Sequence, residues 1–179
     1  MSILHSAAAG IFSMSDKARN VLGGSIAVIL VGILCFNYFQ TVAMPPEDEP
    51  GGSISLSRAG LAAISASNSD PVALKTATQL LDEAVRIDPK DPVALFGLGW
   101  ALHLQQNKPL ALERYNSAIS ELNELTKFSL LNRSLIREEQ GDLQGALDDI
   151  TSALGLAPEL PGGRERQLSL RKRIVEAGR

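Results

Sequence analysis

Three small–large–small triplets recur along the chain: Ala77, Leu81, Ala84; then Ala111, Tyr115, Ala118; then Ala146, Ile150, Ala153. Each has the spacing i, i+4, i+7, which places its members on one face of a helix. Ala77 and Ala111 are 34 residues apart, and Ala111 and Ala146 are 35 apart. Near-equal periods of this length, with two helices per unit, predict stacked helical hairpins in which each unit buries its apolar face on its neighbours.

Composition agrees with an all-α chain. Aromatic residues make up 4% of the 179 residues, while Ala, Leu and Ser are abundant. The strand-forming β-branched and aromatic residues are outweighed by helix formers. The length suits one domain with appendages. Seventeen Lys and Arg against twenty Asp and Glu leave a net charge of -3, which carries no general signal for nucleic acid. The single cysteine, Cys35, excludes an internal disulfide and a cysteine-based zinc site. His5 and His103 lie far apart in sequence, without carboxylates at ligand spacing around them.

From Asn20 to Pro46 the chain has no charged residue. Residues 21–44, as a helix rising ~1.5 Å per residue, are long enough to cross a hydrocarbon core of ~30 Å. Phe36, Tyr38 and Phe39 cluster toward the end of this run, where an aromatic belt would sit. Pro45 and Pro46 stop it. Lys17 and Arg19 precede the run, and Glu47, Asp48 and Glu49 follow it. By the positive-inside rule residues 1–20 are expected in the cytoplasm, and everything after the span on the far side, the periplasm of a Gram-negative bacterium. The competing reading is a cleaved signal peptide with Thr41-Val42-Ala43 as its small-residue site. The run exceeds the usual apolar core of ~7–15 residues, which favours a retained anchor. Residues 45–57 begin as a Pro-, Gly- and acid-rich linker.

Beyond the linker, Asp88-Pro89 and Ala157-Pro158 close two helical segments in the same context. The unit from Pro92 to Thr126 carries Leu95, Leu98, Gly99 and Leu102 in its first helix and Ala111, Tyr115 and Ala118 in its second. On these residues the chain resembles the tetratricopeptide repeat family. Three units follow at 58–91, 92–126 and 127–160. Ser65 stands at the usual glycine place of the first, and Ser134, preceded by Arg133, at that of the third. Residues 161–179 are expected as a capping helix. Leu170, Ile174 and Ala177 form its apolar stripe, and Arg164, Arg166, Arg171, Lys172 and Arg173 its solvated basic face.

The resemblance implies a superhelix whose first helices line a concave surface. The family's groove-facing places fall on Ala59, Ala62 and Ala66; on Val93, Phe96, Trp100 and His103; and on Phe128, Leu131, Leu135 and Glu138. The Lys, Arg and Asn that some members use to clamp a carboxylate are absent from these places, so the expected guest is an apolar segment or an amphipathic helix. The expected partner-binding residues are Val93, Phe96, Trp100, His103, Phe128, Leu131 and Leu135. Trp100 is the natural anchor. Burying an aromatic ring removes ~150–250 Å² from water, worth ~4–6 kcal/mol as an upper figure at ~25 cal/mol/Å². His103 is expected at the groove rim, and Asp148-Asp149 on an exposed helix face.

The expected function is a membrane-anchored interaction scaffold or a chaperone-like assembly factor, with a membrane complex or its client as protein partner. The alternative is a structural accessory subunit held mainly by its transmembrane helix. Contacts between copies, or a groove filled by the chain itself, stay open. No nucleophile–base–orienter set, phosphate loop or ligand cluster stands out in the sequence, so neither an enzyme nor a cofactor is expected.

Overall fold

The computed structural model describes residues 51–67 and 70–178. The span expected at 21–44 lies outside them, and no helix among the described residues is long and apolar enough to cross a membrane.

Seven helices and no strands make up the described chain: α1 (Ser53–Ala66), α2 (Pro71–Ile87), α3 (Pro92–Leu104), α4 (Lys108–Ser120), α5 (Thr126–Glu139), α6 (Leu143–Leu156) and α7 (Gly163–Ala177). They pack in consecutive pairs, α1 with α2, α3 with α4 and α5 with α6. Each pair rests on the next, and α7 closes the end against α6. The result is an all-helical, repeat-like array of the solenoid type.

Local chemistry sets several helix ends. Asp70 caps α2 by accepting a hydrogen bond from the Ala73 amide at 2.9 Å, and Asp142 caps α6 by accepting from Gly145 at 2.9 Å. Pro71 and Pro92 occupy first-turn positions, where a missing N–H costs nothing. The α2 helix stops at Ile87, ahead of Pro89, which disfavours helical backbone at the residue before it. Helix α3 is apolar all round, and every residue from Ala94 to His103 is buried. A helix of that kind belongs in the middle of an array.

The triplets from the sequence form the seam of each pair. Ala77, Leu81, Ala84, Ala111, Tyr115, Ala118, Ala146, Ile150 and Ala153 are all buried. Gly99 explains how α3 and α4 come so close: a Cβ there would lie 2.9 Å from the Tyr115 ring. In the first pair the close approach is made by Gly60, whose Cβ would meet Leu81 Cγ at 2.5 Å. Ser65, expected at that place, is exposed.

The first pair starts earlier than boundary 58 implies. α1 begins at Ser53, inside the segment 45–57 read as linker. Tertiary bonds set this start. Ser53 and Ser57 are buried and donate their hydroxyls to Asp91 Oδ2 at 2.5 and 2.7 Å.

The capping helix also departs from its expected amphipathic split. Leu170 is fully buried, Ile174 is half-buried and Ala177 is exposed. Arg166 and Arg173 are not on a solvated basic face. Both turn back to Glu138 on α5. Arg164, Arg171 and Lys172 are the exposed basic residues.

Candidate functional site

The expected partner-binding residues come from the first helices of the second and third pairs, α3 and α5. Val93 is half-buried. Phe96, Trp100, His103, Phe128, Leu131 and Leu135 are all buried, none more than 6% exposed. All of these except His103 belong to one apolar cluster. Ala59, Ala62 and Ala66 of α1 are exposed instead. Glu138, projected to the same surface, is committed to Arg166 and Arg173 of α7.

Phe96 lies between two rings. Its centroid is 6.4 Å from Trp100, tilted by 34°, and 6.2 Å from Tyr115, tilted by 46°. Both separations suit offset aromatic packing. Phe96 therefore belongs to the interior of the α3–α4 hairpin, while Trp100 extends the aromatic row along α3. The ammonium of Lys127 sits 5.4 Å from the Phe128 centroid, within cation–π range. Helix α3 packs closely on α1, but α3 and α5 have no comparable backbone contact.

His103 is 4% exposed, not at a rim. Burial lowers its pKa to about 4, with Lys108 pushing the same way and Glu139 opposing. Lys108 and Glu139 pair with each other at 2.9 Å beside it.

The α5 helix adds two residues that the sequence reading passed over. Ser129 and Asn132 are completely buried. Neither the Ser129 hydroxyl nor either polar atom of the Asn132 amide finds a hydrogen-bond partner among the described residues. Trp100 Nε1 and His103 Nδ1 are in the same condition. Buried polar atoms of folded chains are nearly always paired, so several of them on α3 and α5 are unusual. The signal in the sequence was an amide set directly after two leucines, in Leu130-Leu131-Asn132.

Asp149 corrects a second expectation. It is 3% exposed, not solvated. Arg133 Nε donates to it at 2.9 Å, and Arg137 Nη1 reaches it at 3.1 Å. Arg133 also donates to Asn116 at 2.6 Å, which ties α4, α5 and α6 together. The arginine ahead of Ser134 is therefore half of a buried ion pair.

No group of three or more His, Cys, Asp or Glu residues that could hold a metal occurs among the described residues. A cleft of about 360 Å³ lies between the end of α6 and α7, lined by Leu154, Pro158, Arg164, Gln167 and Leu168. None of the expected partner-binding residues lines it. No family model matches the chain, and a search of curated proteins also gives no match.

Proposed function

We propose that this chain is a membrane-anchored protein-interaction module of the tetratricopeptide type. It acts as a scaffold or assembly factor and holds an apolar or amphipathic segment between α3 and α5. The observation that carries the reading is the group of buried, unpartnered polar atoms on those helices: Trp100 Nε1, His103 Nδ1, Ser129 Oγ and the Asn132 amide. Each such atom costs the fold ~1–3 kcal/mol in desolvation. Since these atoms and the side chains of Trp100, Phe128, Leu131 and Leu135 are buried in the array, a guest segment would reach them by parting α3 from α5, presenting backbone carbonyls and amides to the polar atoms and apolar side chains to the rest. The guest enters where α3 and α5 lack the close backbone contact that joins α1 to α3.

The test is site-specific photo-crosslinking from positions 100 and 128 of the full chain in native membranes, with and without Asn132→Leu. Leucine keeps the branched outline of asparagine, with two methyl groups in place of the polar atoms. The expected result is a discrete protein adduct that Asn132→Leu weakens, although the variant melts no lower than the parent. Adducts confined to the chain itself would overturn the reading. They would favour the alternative, an accessory subunit held by its transmembrane helix.

A further inference from the structure

Ile87, Leu122 and Leu156 are large apolar residues that the fold leaves exposed, by 46%, 82% and 59% respectively. They stand 35 and 34 residues apart, the period of the array itself. Ile87 ends α2, Leu156 ends α6, and Leu122 follows the end of α4 by two residues. All three therefore mark the corners where one hairpin passes to the next. Antiparallel pairing puts these corners on a single edge. Leu156 borders a hollow with Asn123, Glu124 and Lys127 of the neighbouring corner. At the other end, the Ser53 hydroxyl donates to the Ala84 carbonyl at 3.3 Å, so α1 also starts on this edge.

Leu122 adds an independent observation. Its φ is +44°, in the left-handed region. A glycine or an asparagine would hold that conformation at lower cost. At the opposite edge the left-handed places are taken by Gln106 and Gly141. Val72 and Leu110 are exposed there, on the first turns of α2 and α4. In α6 that place is held by Gln144 and Gly145, so the apolar pattern does not repeat through the third pair. Isolated exposed apolar residues are ordinary. A row at the repeat period, with a leucine held in left-handed backbone at its centre, is not.

We infer that this edge rests on the lipid bilayer, with Ile87, Leu122 and Leu156 entering the interfacial layer. The inference depends on the reading of residues 21–44 as a membrane span. Eight residues, 45–52, separate that run from α1. Fully extended, they reach at most ~28 Å at ~3.5 Å per residue. The edge on which α1 begins is therefore the one tethered nearest the bilayer. Charge around the row is mixed, with Lys90 and Lys127 beside Asp88, Glu124 and Glu159. A zwitterionic surface fits this balance better than an anionic one, and the contact is apolar rather than electrostatic.

The test uses the full chain, carrying Cys35→Ser, in phosphatidylcholine vesicles that contain doxyl-labelled lipid. An environment-sensitive fluorophore is attached through Leu122→Cys, Leu156→Cys or, as a control on the opposite edge, Gln140→Cys. The expected result is loss of most of the emission at positions 122 and 156 and none at 140, unchanged in high salt. Carbonate extraction of the same vesicles reports the span separately. Full retention without quenching at 122 and 156 would overturn the edge contact and leave the span standing. Release of the chain would overturn both. A blue-shifted emission without lipid quenching would assign the row to a second copy of the chain, and would also overturn the inference.

Discussion

The Ser57 hydroxyl donates to Asp91 Oδ2 at 2.7 Å across one full repeat of chain. The same carboxylate accepts from Ser53 through Oδ2, and from the Val93 and Ala94 amides through Oδ1. One buried side chain thus caps α3 and anchors α1. Bonds to a charged acceptor are worth ~1.5–3 kcal/mol each, and a helix cap ~1 kcal/mol. Asp91→Ala removes all four and leaves the Ser57 hydroxyl without its partner in the interior, while Ser53 retains the Ala84 carbonyl at 3.3 Å. A loss of ~3 kcal/mol or more is expected in denaturant unfolding followed by circular dichroism. Ser57→Ala alone should cost about a third of that.

Gly99 and Gly155 make a matched pair. A side chain at Gly99 meets the Tyr115 ring, whereas nothing lies within 4 Å of a Cβ at Gly155. Gly99→Leu is expected to cost at least the ~1–3 kcal/mol typical of overpacking. Gly155→Ala should be neutral or slightly stabilising, because it reduces the backbone freedom of the unfolded chain. Thermal melts of the two variants check the α3–α4 seam. Equal melting temperatures would remove the close approach at Gly99.

His103 makes stability depend on pH. Its folded pKa, about 4, lies below the ordinary value of 6.5. Between these values the unfolded chain binds more protons than the folded one, so stability rises with pH. The contribution is fully present above pH ~6.5 and drains away as pH falls toward 4. It amounts to about 3 kcal/mol at ~1.4 kcal/mol per pKa unit. Unfolding free energies measured from pH 7 to 4.5 should show this slope, and His103→Gln should flatten it. Equal slopes in the two proteins would mean that the imidazole is solvated.

Asp149 should show the asymmetry of buried ion pairs. Asp149→Leu leaves Arg133 and Arg137 facing each other without their shared carboxylate, and is expected to cost ~3–5 kcal/mol. Adding Arg133→Met should recover a substantial part of the loss, since it removes one of the uncompensated charges. A double variant no more stable than Asp149→Leu alone would place the ion pair outside the energetics of the α5–α6 seam.

If residues 21–44 span a membrane, Lys17 and Arg19 ahead of the run would hold residues 1–20 on the cytoplasmic side by the positive-inside rule. A phosphatase joined after Arg179 should be active in the periplasm of a bacterial host. Activity seen only with a cytoplasmic reporter at the same position would reverse the orientation.

Much of the array was legible in the sequence because its determinants are local. The i, i+4, i+7 triplets, the closing Asp88-Pro89 and Ala157-Pro158 pairs, and the small residue at Gly99 all act within a few turns of helix. They placed the seams of the three pairs and the position of α7. What the tertiary structure decided depends on groups far apart in sequence. Ser53 looks like linker until Asp91, 38 residues later, takes its hydroxyl. Gly60 and Ser65 are both small, and only the lie of α1 against Leu81 makes Gly60 the point of contact. Asp149 reads as a solvated acid until two arginines of α5 close over it. Periodicity says which residues share a helix face. It does not say which neighbour that face will meet, because burial and charge pairing are properties of the packed whole.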